Sequence, residues 1–386
     1  MARIILLTDF SEEYAKDLLK GIVKYSLEHS PWVLCKMPHS YRVKNGVEGV
    51  LSWAKEWGAD GIIAQFYNTD NVSIFKENGI AAIAQDFKER FTEIPNITGD
   101  HHLAGRMGAD YFIQKGFKNF AFYGFRNIVW SEERSEGFQA ELARHRNGYS
   151  FYEYQNEDFL ELWYYDSEPL IDWLNKLPKP IALMACDDNQ AHQISQVCKQ
   201  CGIKIPEEIS LLGVDNDEAI CTLSDPPLSS IHQAVEKGGY EAAILMERMI
   251  RNPRGEYEDI VVQPTHIVTR QSTDIYSTSD KYISVVLQYI HQNSNNRITI
   301  SDLTDLVPLS RRLLENRFKE VTGLPVYTYI INLRIAKFAQ KLLESNDSIV
   351  EIASDMDFID YKNFSRQFKK IMGCTPSSYR DVHSLL

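Results

Sequence analysis

Two hydrophobic rhythms alternate along roughly the first 270 residues. Short runs such as "RIILL", "GIIAQF", "GIAAIAQ", "NFAFYGF", "PIALMA" and "ISLLGV" are almost continuously apolar, which predicts strands buried on both faces. Between them, "YAKDLLKGIVKYSLEH", "LAGRMGADYFIQKG", "NQAHQISQVCKQCG" and "AVEKGGYEAAILMERMIRN" repeat apolar positions every three or four residues, the spacing of amphipathic helices. Buried strands separated by helices predict parallel sheet in an α/β fold. Ligands of such folds bind beyond the carboxyl ends of the strands. Several strands run into acids there: Asp9, Asp86, the pair Asp187 and Asp188, and Asp215. The run "VTRQSTDIYSTSDKY" at 268–282 is polar and rich in Ser and Thr, and reads as a linker.

Beyond it the pattern is helical only. In "TISDLTDLVPLSRRLLENRFKEVTG" a short helix over about Ser301–Val307 stops at a turn near Pro308, and a second opens with Ser310 as its N-cap. "SIVEIASDMDFIDYKNFSRQFKKIMG" repeats the plan: one helix ends near Met356 and a cationic one follows. Helix, tight turn and helix, twice over, is a pair of helix-turn-helix units. In the cationic helix Tyr361, Phe364, Phe368 and Ile371 predict a buried stripe, while Lys362, Arg366 and Lys370 recur every four residues beside Lys369. Like charges at that spacing repel by roughly 0.2–0.5 kcal/mol per pair, so the face asks for an anion. The helix between the units, about 20 residues, spans ~30 Å. That is close to the ~34 Å between successive major grooves on one face of a duplex.

Charge divides the chain in the same place. The net charge is −12 over 386 residues, yet from Asp280 onward there are 14 basic and 12 acidic residues. An acidic body and a mildly basic tail imply different partners. The 44% hydrophobic and 24% charged composition is that of a globular protein with two or three cores. No apolar run approaches the ~18 residues of a membrane span. The apolar run in "MARIILLTDF" is too short for a signal peptide, so a cytoplasmic location without membrane contact is expected. The six cysteines lack metal-ligand spacing; Cys198 and Cys201 form a lone Cys-x-x-Cys with no second pair, so no metal or cofactor is expected. No Gly-rich phosphate loop, G-x-S-x-G or His/Glu metal motif occurs, and no pair of acids is placed around a scissile bond, so an enzyme is not expected.

The residues Phe364, Ser365, Arg366, Phe368, Lys369, Lys370, Gly373, Thr375, Pro376, Tyr379 and Arg380 form a pattern that closely resembles the signature of AraC-type transcription regulators. "LENRFKEVTGLPVYTYIINLRIAKFAQKLL" resembles the preceding part of that domain. The resemblance implies that the second helix of each unit enters a major groove of double-stranded DNA. Arg312, Glu315 and Asn316 would then face one groove, and Lys362, Asn363 and Arg366 the next, with Arg311 a further DNA-binding candidate. The chemistry agrees, since Arg pairs with guanine, Asn with adenine and Glu with cytosine N4. Lys319, Lys369 and Lys370 suit phosphates. Phe318, Phe364 and Phe368 read as core rather than as base-stacking platforms. Two turns depart from the family: Pro308 and Asp357 stand where Gly is common. Asp visits the left-handed region more readily than most residues.

The body resembles the sugar-sensing domain of LacI-type repressors, shared with periplasmic sugar-binding proteins, through "SEERSEGF", "ACDDNQA", "GIKIPEEISLLGVDND", "SDPPLSSI" and "VQPTHIVTRQST". That implies two α/β lobes of parallel sheet around a cleft, with Arg134, Asp187 and Asp215 at effector-contacting positions. Guanidinium and carboxylates suit vicinal hydroxyls. Asp9 joins them as a strand-end acid, and Phe10, Tyr14, Phe87 and Trp130 are candidates to stack on a sugar ring. Asp188 reads as the cap of the following helix, and Arg134 has Glu133 and Glu136 as alternative ion-pair partners.

A sensor at 1–272, a linker at 273–281 and an AraC-type domain at 282–386 is an unusual order. It resembles that of the xylose-responsive activators of bacteria. The expected molecule is a homodimeric, sugar-dependent activator that binds an operator and engages RNA polymerase. D-xylose is the first effector expected and arabinose or ribose the alternatives. A sugar-transport receptor is the reading of a different class, against which the added DNA-binding tail stands.

Overall fold

The computed structural model describes residues 1–10, 12–29, 31–85, 89–145, 148–156, 167–274, 280–345, 347–358 and 361–383; at 39, 340, 344, 361–363 and 381–383 only the backbone is described. The chain first builds β1 (Arg3–Leu7), α1 (Glu13–Glu28), β2 (Val33–Lys36), α2 (His39–Trp57), β3 (Gly61–Ala64), α3 (Ser73–Glu77), β4 (Ala81–Gln85) and β5 (Asn96–Gly99). It then crosses to a second lobe of α4 (His101–Gln114), β6 (Asn119–Phe125), α5 (Val129–Arg144), β7 (Ser150–Asn156) and α6 (Glu168–Lys176). That lobe continues through β8 (Ile181–Ala185), α7 (Asp188–Cys201), β9 (Ile209–Val214), α8 (Glu218–Leu223) and β10 (Ser229–Gln233). The chain returns to the first lobe with α9 (Val235–Arg251) and β11 (Ile260–Val262), and crosses a third time into β12 (Pro264–Val268).

The two six-stranded sheets run β2-β1-β3-β4-β5-β11 and β7-β6-β8-β9-β10-β12. All pairings are parallel except that of β12, which lies antiparallel to β10. Alternate strand residues fill separate cores: Ile4, Leu6, Ile63 and Ile83 face one side of the first sheet, and Ile5, Leu7, Ile62 and Ala82 the other. Burial on both faces explains why these strands lack polar alternation. The crossings are tied together, Asp100 N donating to Val262 O and Ala234 N to Gln263 O, each at 2.9 Å. Helices α4 and α5 touch backbone to backbone. A Cβ on Gly105 would lie 2.0 Å from the Arg134 carbonyl oxygen, and one on Gly137 would lie 2.1 Å from that of His102.

The tail consists of α10 (Lys281–Gln292), α11 (Ile300–Leu306), α12 (Arg311–Thr322), α13 (Val326–Glu344), α14 (Ile349–Asp355), α15 (Tyr361–Met372) and α16 (Pro376–His383). Ser310 caps α12, and α11 and α14 each open with a reciprocal capping box, Thr299 with Asp302 and Ser348 with Glu351. Helix α13 serves two cores. Val326, Tyr329 and Ile330 pack with Leu303, Leu314 and Phe318, while Phe338 and Leu342 pack with Ile352, Phe364 and Phe368. Asp357 takes the left-handed conformation at φ 52°. Ile371, expected in the buried stripe, is instead 37% exposed. It shares the helix face of Phe364 and Phe368 but lies in the last turn of α15, which ends at Met372.

The polar run expected as a linker is in part fixed structure. Ser272 and Thr273 are buried: Ser272 Oγ donates to Leu211 O at 2.6 Å and accepts from Ser229 N at 2.8 Å. Buried hydroxyls are tolerated when bonded in this way. The residues between this turn and Asp280, which caps α10, fall at 275–279, outside the described residues. Among the described residues no helix is long and apolar enough to cross a membrane.

Candidate effector cleft and nucleic-acid interface

The carboxyl ends of the two sheets meet around Arg134. Held on α5 and 3% exposed, this residue donates one Nη to the Cys186 carbonyl after β8 and the other to Asp215 Oδ1, 3.3 Å away after β9. Gln233, closing β10, donates to the same Asp215 oxygen. Trp130, one turn earlier on α5, lies 5.2 Å from the guanidinium carbon. Asp187 caps α7, its Oδ1 accepting from Gln190 N at 2.7 Å. From the first lobe Asp9 and Glu12, past the end of β1, share a field with Asp187 and Asp215, while Gln65 follows β3 and Gln85 ends β4. Asp9 N donates to Gln65 Oε1 at 3.2 Å. Arg90 spans the lobes with two parallel bonds to Glu133, 2.6 and 2.7 Å, while its Nε donates to Thr98 Oγ1 at 2.9 Å.

The field in this cleft is acidic. Glu12 keeps solvent contact yet is recessed between the lobes. That recess, followed by the charges of Asp187, Asp9 and Asp215, pushes its carboxyl up to about 7. Burial, with Asp215 adding and the Gln190 amide opposing, raises Asp187 to about 6. Burial, reinforced by Arg134, holds the His101 imidazole well below its usual range, so the ring is neutral. Among the described residues, Arg134 Nε, Gln85 Oε1 and Gln233 Oε1 are buried without a protein hydrogen-bond partner. A donor and two acceptors held in a cleft lined by carboxylates match a neutral, hydroxyl-rich ligand. A cavity of about 750 Å³ lies at the opposite end of the first sheet, between Ile80, Pro95 and Asp259, and includes none of these residues.

Of the residues read from sequence, Arg134, Asp187 and Asp215 are brought together, with Trp130 beside them. Asp9 stands exposed at the rim. Phe10 and Tyr14 are half-buried against the core of the first lobe, and the Lys36 ammonium sits 4.2 Å from the Phe10 ring. Phe87 and Asp86 lie outside the described residues. Asp188 does not cap α7. Asp187 does, and Asp188 is its buried first residue, accepting from Asp217 N at 2.8 Å. Nor does Arg134 pair with its helix neighbours, since Glu133 is held by Arg90 and Glu136 lies 3.1 Å from His102. Sequence reasoning missed Glu12, Gln85, Gln233, His101 and the Arg90–Glu133 bridge. Glu12 was reachable, because it follows Asp9 past the same strand end.

The second interface lies on α12 and α15. Arg311, Arg312, Asn316 and Lys319 are exposed while Leu314 and Phe318 anchor α12 beneath them. Glu315 is half-buried and pairs with Arg311 at 3.0 Å. On α15, Arg366, Lys369 and Lys370 are exposed over buried Phe364 and Phe368. The side chains of Lys362 and Asn363 lie outside the described residues. The cysteines are free thiols, and Cys198 packs in the core of the second lobe.

Two family models match the chain, a periplasmic binding protein-like domain over residues 109–273 and a helix-turn-helix domain over 303–381. The xylose operon regulatory protein of Haemophilus influenzae is 30% identical over 329 residues, covering 83% of this chain and 84% of that one. Its namesake from Escherichia coli K12 is 28% identical over 99% of this chain and 97% of its own length. A solved structure of the xylose-binding transcription activator xylR covers 99% of this chain and 98% of its own at 28% identity, with a TM-score of 0.60. A LacI family regulator from Enterococcus faecium, solved with ribose, matches 71% of this chain and 98% of its own at 20% identity and a TM-score of 0.56, sharing the sensor fold.

Proposed function

The chain belongs to the family of the xylose operon regulatory proteins, sugar-responsive DNA-binding transcription activators, and from that premise we propose that its own effector is D-xylose. The observation that carries a polyol is the set of buried polar atoms without partners, Arg134 Nε, Gln85 Oε1 and Gln233 Oε1. Arg134 and Gln233 bond the Asp215 carboxylate, and Gln85 ends β4 in the first lobe. Sugar hydroxyls donate to the carboxylates and amide oxygens and accept from the guanidinium. A site built this way penalises an analogue that lacks one hydroxyl. Sugar bridging the lobes favours the closed arrangement that Arg90 and Glu133 already span, and a ligand shifts only an equilibrium between states it binds unequally. Residues 1–272 act as the sensor and 282–386 as the reader. Arg312, Glu315, Asn316, Lys362, Asn363 and Arg366 face bases, and Arg311, Lys319, Lys369 and Lys370 the phosphates. The activator works in the cytoplasm as a homodimer that engages RNA polymerase, because a tail with a balance of only +2 gains much of its affinity from base contacts and a second copy.

A panel of D-xylose, arabinose and ribose in thermal unfolding identifies the effector, since a ligand that binds the folded chain raises its midpoint. D-xylose is expected to give the largest shift and to raise operator affinity at fixed salt. Operator affinity unmoved by saturating D-xylose would sink the switch, and a larger shift with another pentose would reassign the effector.

A further inference from the structure

Far from the cleft, α4 and α5 bring three other side chains together. Glu141 and His145 stand four residues apart, hence on one face of the helical path, and His145 Nε2 lies 3.2 Å from Glu141 Oε1. Asp110 on α4 completes the group: one ligand atom from each residue lies within 4.8 Å of the others, which among the described residues happens nowhere else. We propose that Asp110, Glu141 and His145 bind one divalent transition-metal ion of the zinc, cobalt or manganese class.

The donor set is a mixed imidazole and carboxylate one, the kind those ions take. Metal–ligand bonds of about 2.0–2.1 Å place tetrahedral ligand atoms about 3.4 Å apart. The Glu141–His145 pair is already near that spacing, and Asp110 needs a side-chain adjustment to reach it. Each carboxylate is also held from behind. Gln114 Nε2 donates to Asp110 Oδ2 at 2.6 Å, and Arg144 donates to Glu141 Oε2 at 3.0 Å. Such outer bonds orient ligands and leave the second oxygen of each to the ion. The two helices cannot slide, because Gly105 and Gly137 lock their backbones together. Asp110 is half-buried and Glu141 buried, so neither carboxylate is fully hydrated in the absence of an ion. A cavity of about 460 Å³, bordered by Leu142 and Tyr149, opens beside His145. Arg134 lies two turns back on α5, about 10 Å away, so the effector cleft keeps its own chemistry.

The full chain, stripped with a chelator and titrated with Co(II), tests this. One ion per chain is expected, with a visible spectrum free of thiolate charge transfer, which excludes the Cys198–Cys201 pair as its holder. Asp110→Asn and His145→Gln are each expected to weaken binding at least tenfold, while D-xylose binding stays unchanged. Mn(II) relaxation of solvent protons provides a second readout on the unaltered chain and is expected to show the same single site. Equal Co(II) binding by the unaltered chain and both variants, or none by the unaltered chain in either measurement, overturns the site and leaves the trio an ion pair only.

Discussion

Asp187 performs two tasks that one substitution can separate. It closes the N-terminus of α7 and presents a carboxylate to the cleft. Asparagine caps nearly as well as aspartate, whereas alanine costs about 1 kcal/mol of helix stability. Asp187→Asn is therefore expected to keep the cap and, by removing the buried charge, to raise the unfolding midpoint of the free protein at neutral pH, and Asp187→Ala to fall below Asp187→Asn by the lost cap. Both should weaken effector binding in calorimetry by tenfold or more. The neighbouring acids predict a pH dependence of definite sign. Glu12 and Asp187 titrate near 7 and 6 in the folded protein, above the ordinary carboxyl values of 4.5 and 3.8. Between the ordinary and raised values the folded state holds more protons than the unfolded one, so stability falls as pH rises. Below about 4 the two carboxyls cost nothing; above about 7 the cost is complete. Glu12→Gln should flatten the decline of the midpoint between pH 5 and 8, and a decline as steep as in the unaltered chain would remove Glu12 from the account.

At the scale of elements, α12 and α15 present cations over aromatic anchors, and their roles differ in what they predict. Lys369→Ala and Lys370→Ala should weaken operator and random DNA alike and each reduce the salt slope of binding by about 1. Arg366→Ala should instead cost about 1–3 kcal/mol at its base pair and relax specificity there. A footprint and salt titration of the three variants distinguishes these outcomes. How far such elements could be read from sequence follows from burial. Strands β1, β3, β4, β8 and β9 were legible because both faces are packed, leaving runs such as "IALMA". Edge strand β7 was not, because "SFYEYQN" exposes Ser150 and Glu153 and its pattern is that of a loop. The turn at Asp357 was legible, since its left-handed backbone suits aspartate. The cap of α7 was misplaced by one residue because two adjacent aspartates offer the same local signal. Gln233 and Arg90 carried no local mark at all, since their meaning lies in partners 18 and 43 residues away.

The whole molecule adds a junction that no local pattern announces. The end of α4 is tied to the last turn before the helical tail: Tyr111 Oη bonds Thr273 Oγ1 at 2.7 Å and Thr269 Oγ1 at 3.1 Å. Beyond it Lys115, 3% exposed, lies within the fields of Asp274 and of Lys337 on α13. Burial lowers the Lys115 ammonium to about 7, Asp274 opposing and Lys337 adding to the fall. His291 on α10 is held well below its usual range by burial and by the same two lysines. Cations are thus concentrated where sensor and reader touch, and a buried ammonium weakens that contact whenever it is charged. From about 7 up to the ordinary lysine value of 10.5 the unfolded chain holds the extra proton, so stability rises with pH across that window. Below it the full cost of burying the charge remains. Methionine keeps the length of the side chain and removes the charge, and with it the cost of burying an ammonium. Lys115→Met is accordingly expected to raise the unfolding midpoint more at pH 7 than at pH 9 and to abolish the rise between them. A midpoint lowered at both values would mean that the charged ammonium, 5.0 Å from the Tyr111 ring on the same helix, stabilises the sensor by cation–π attraction.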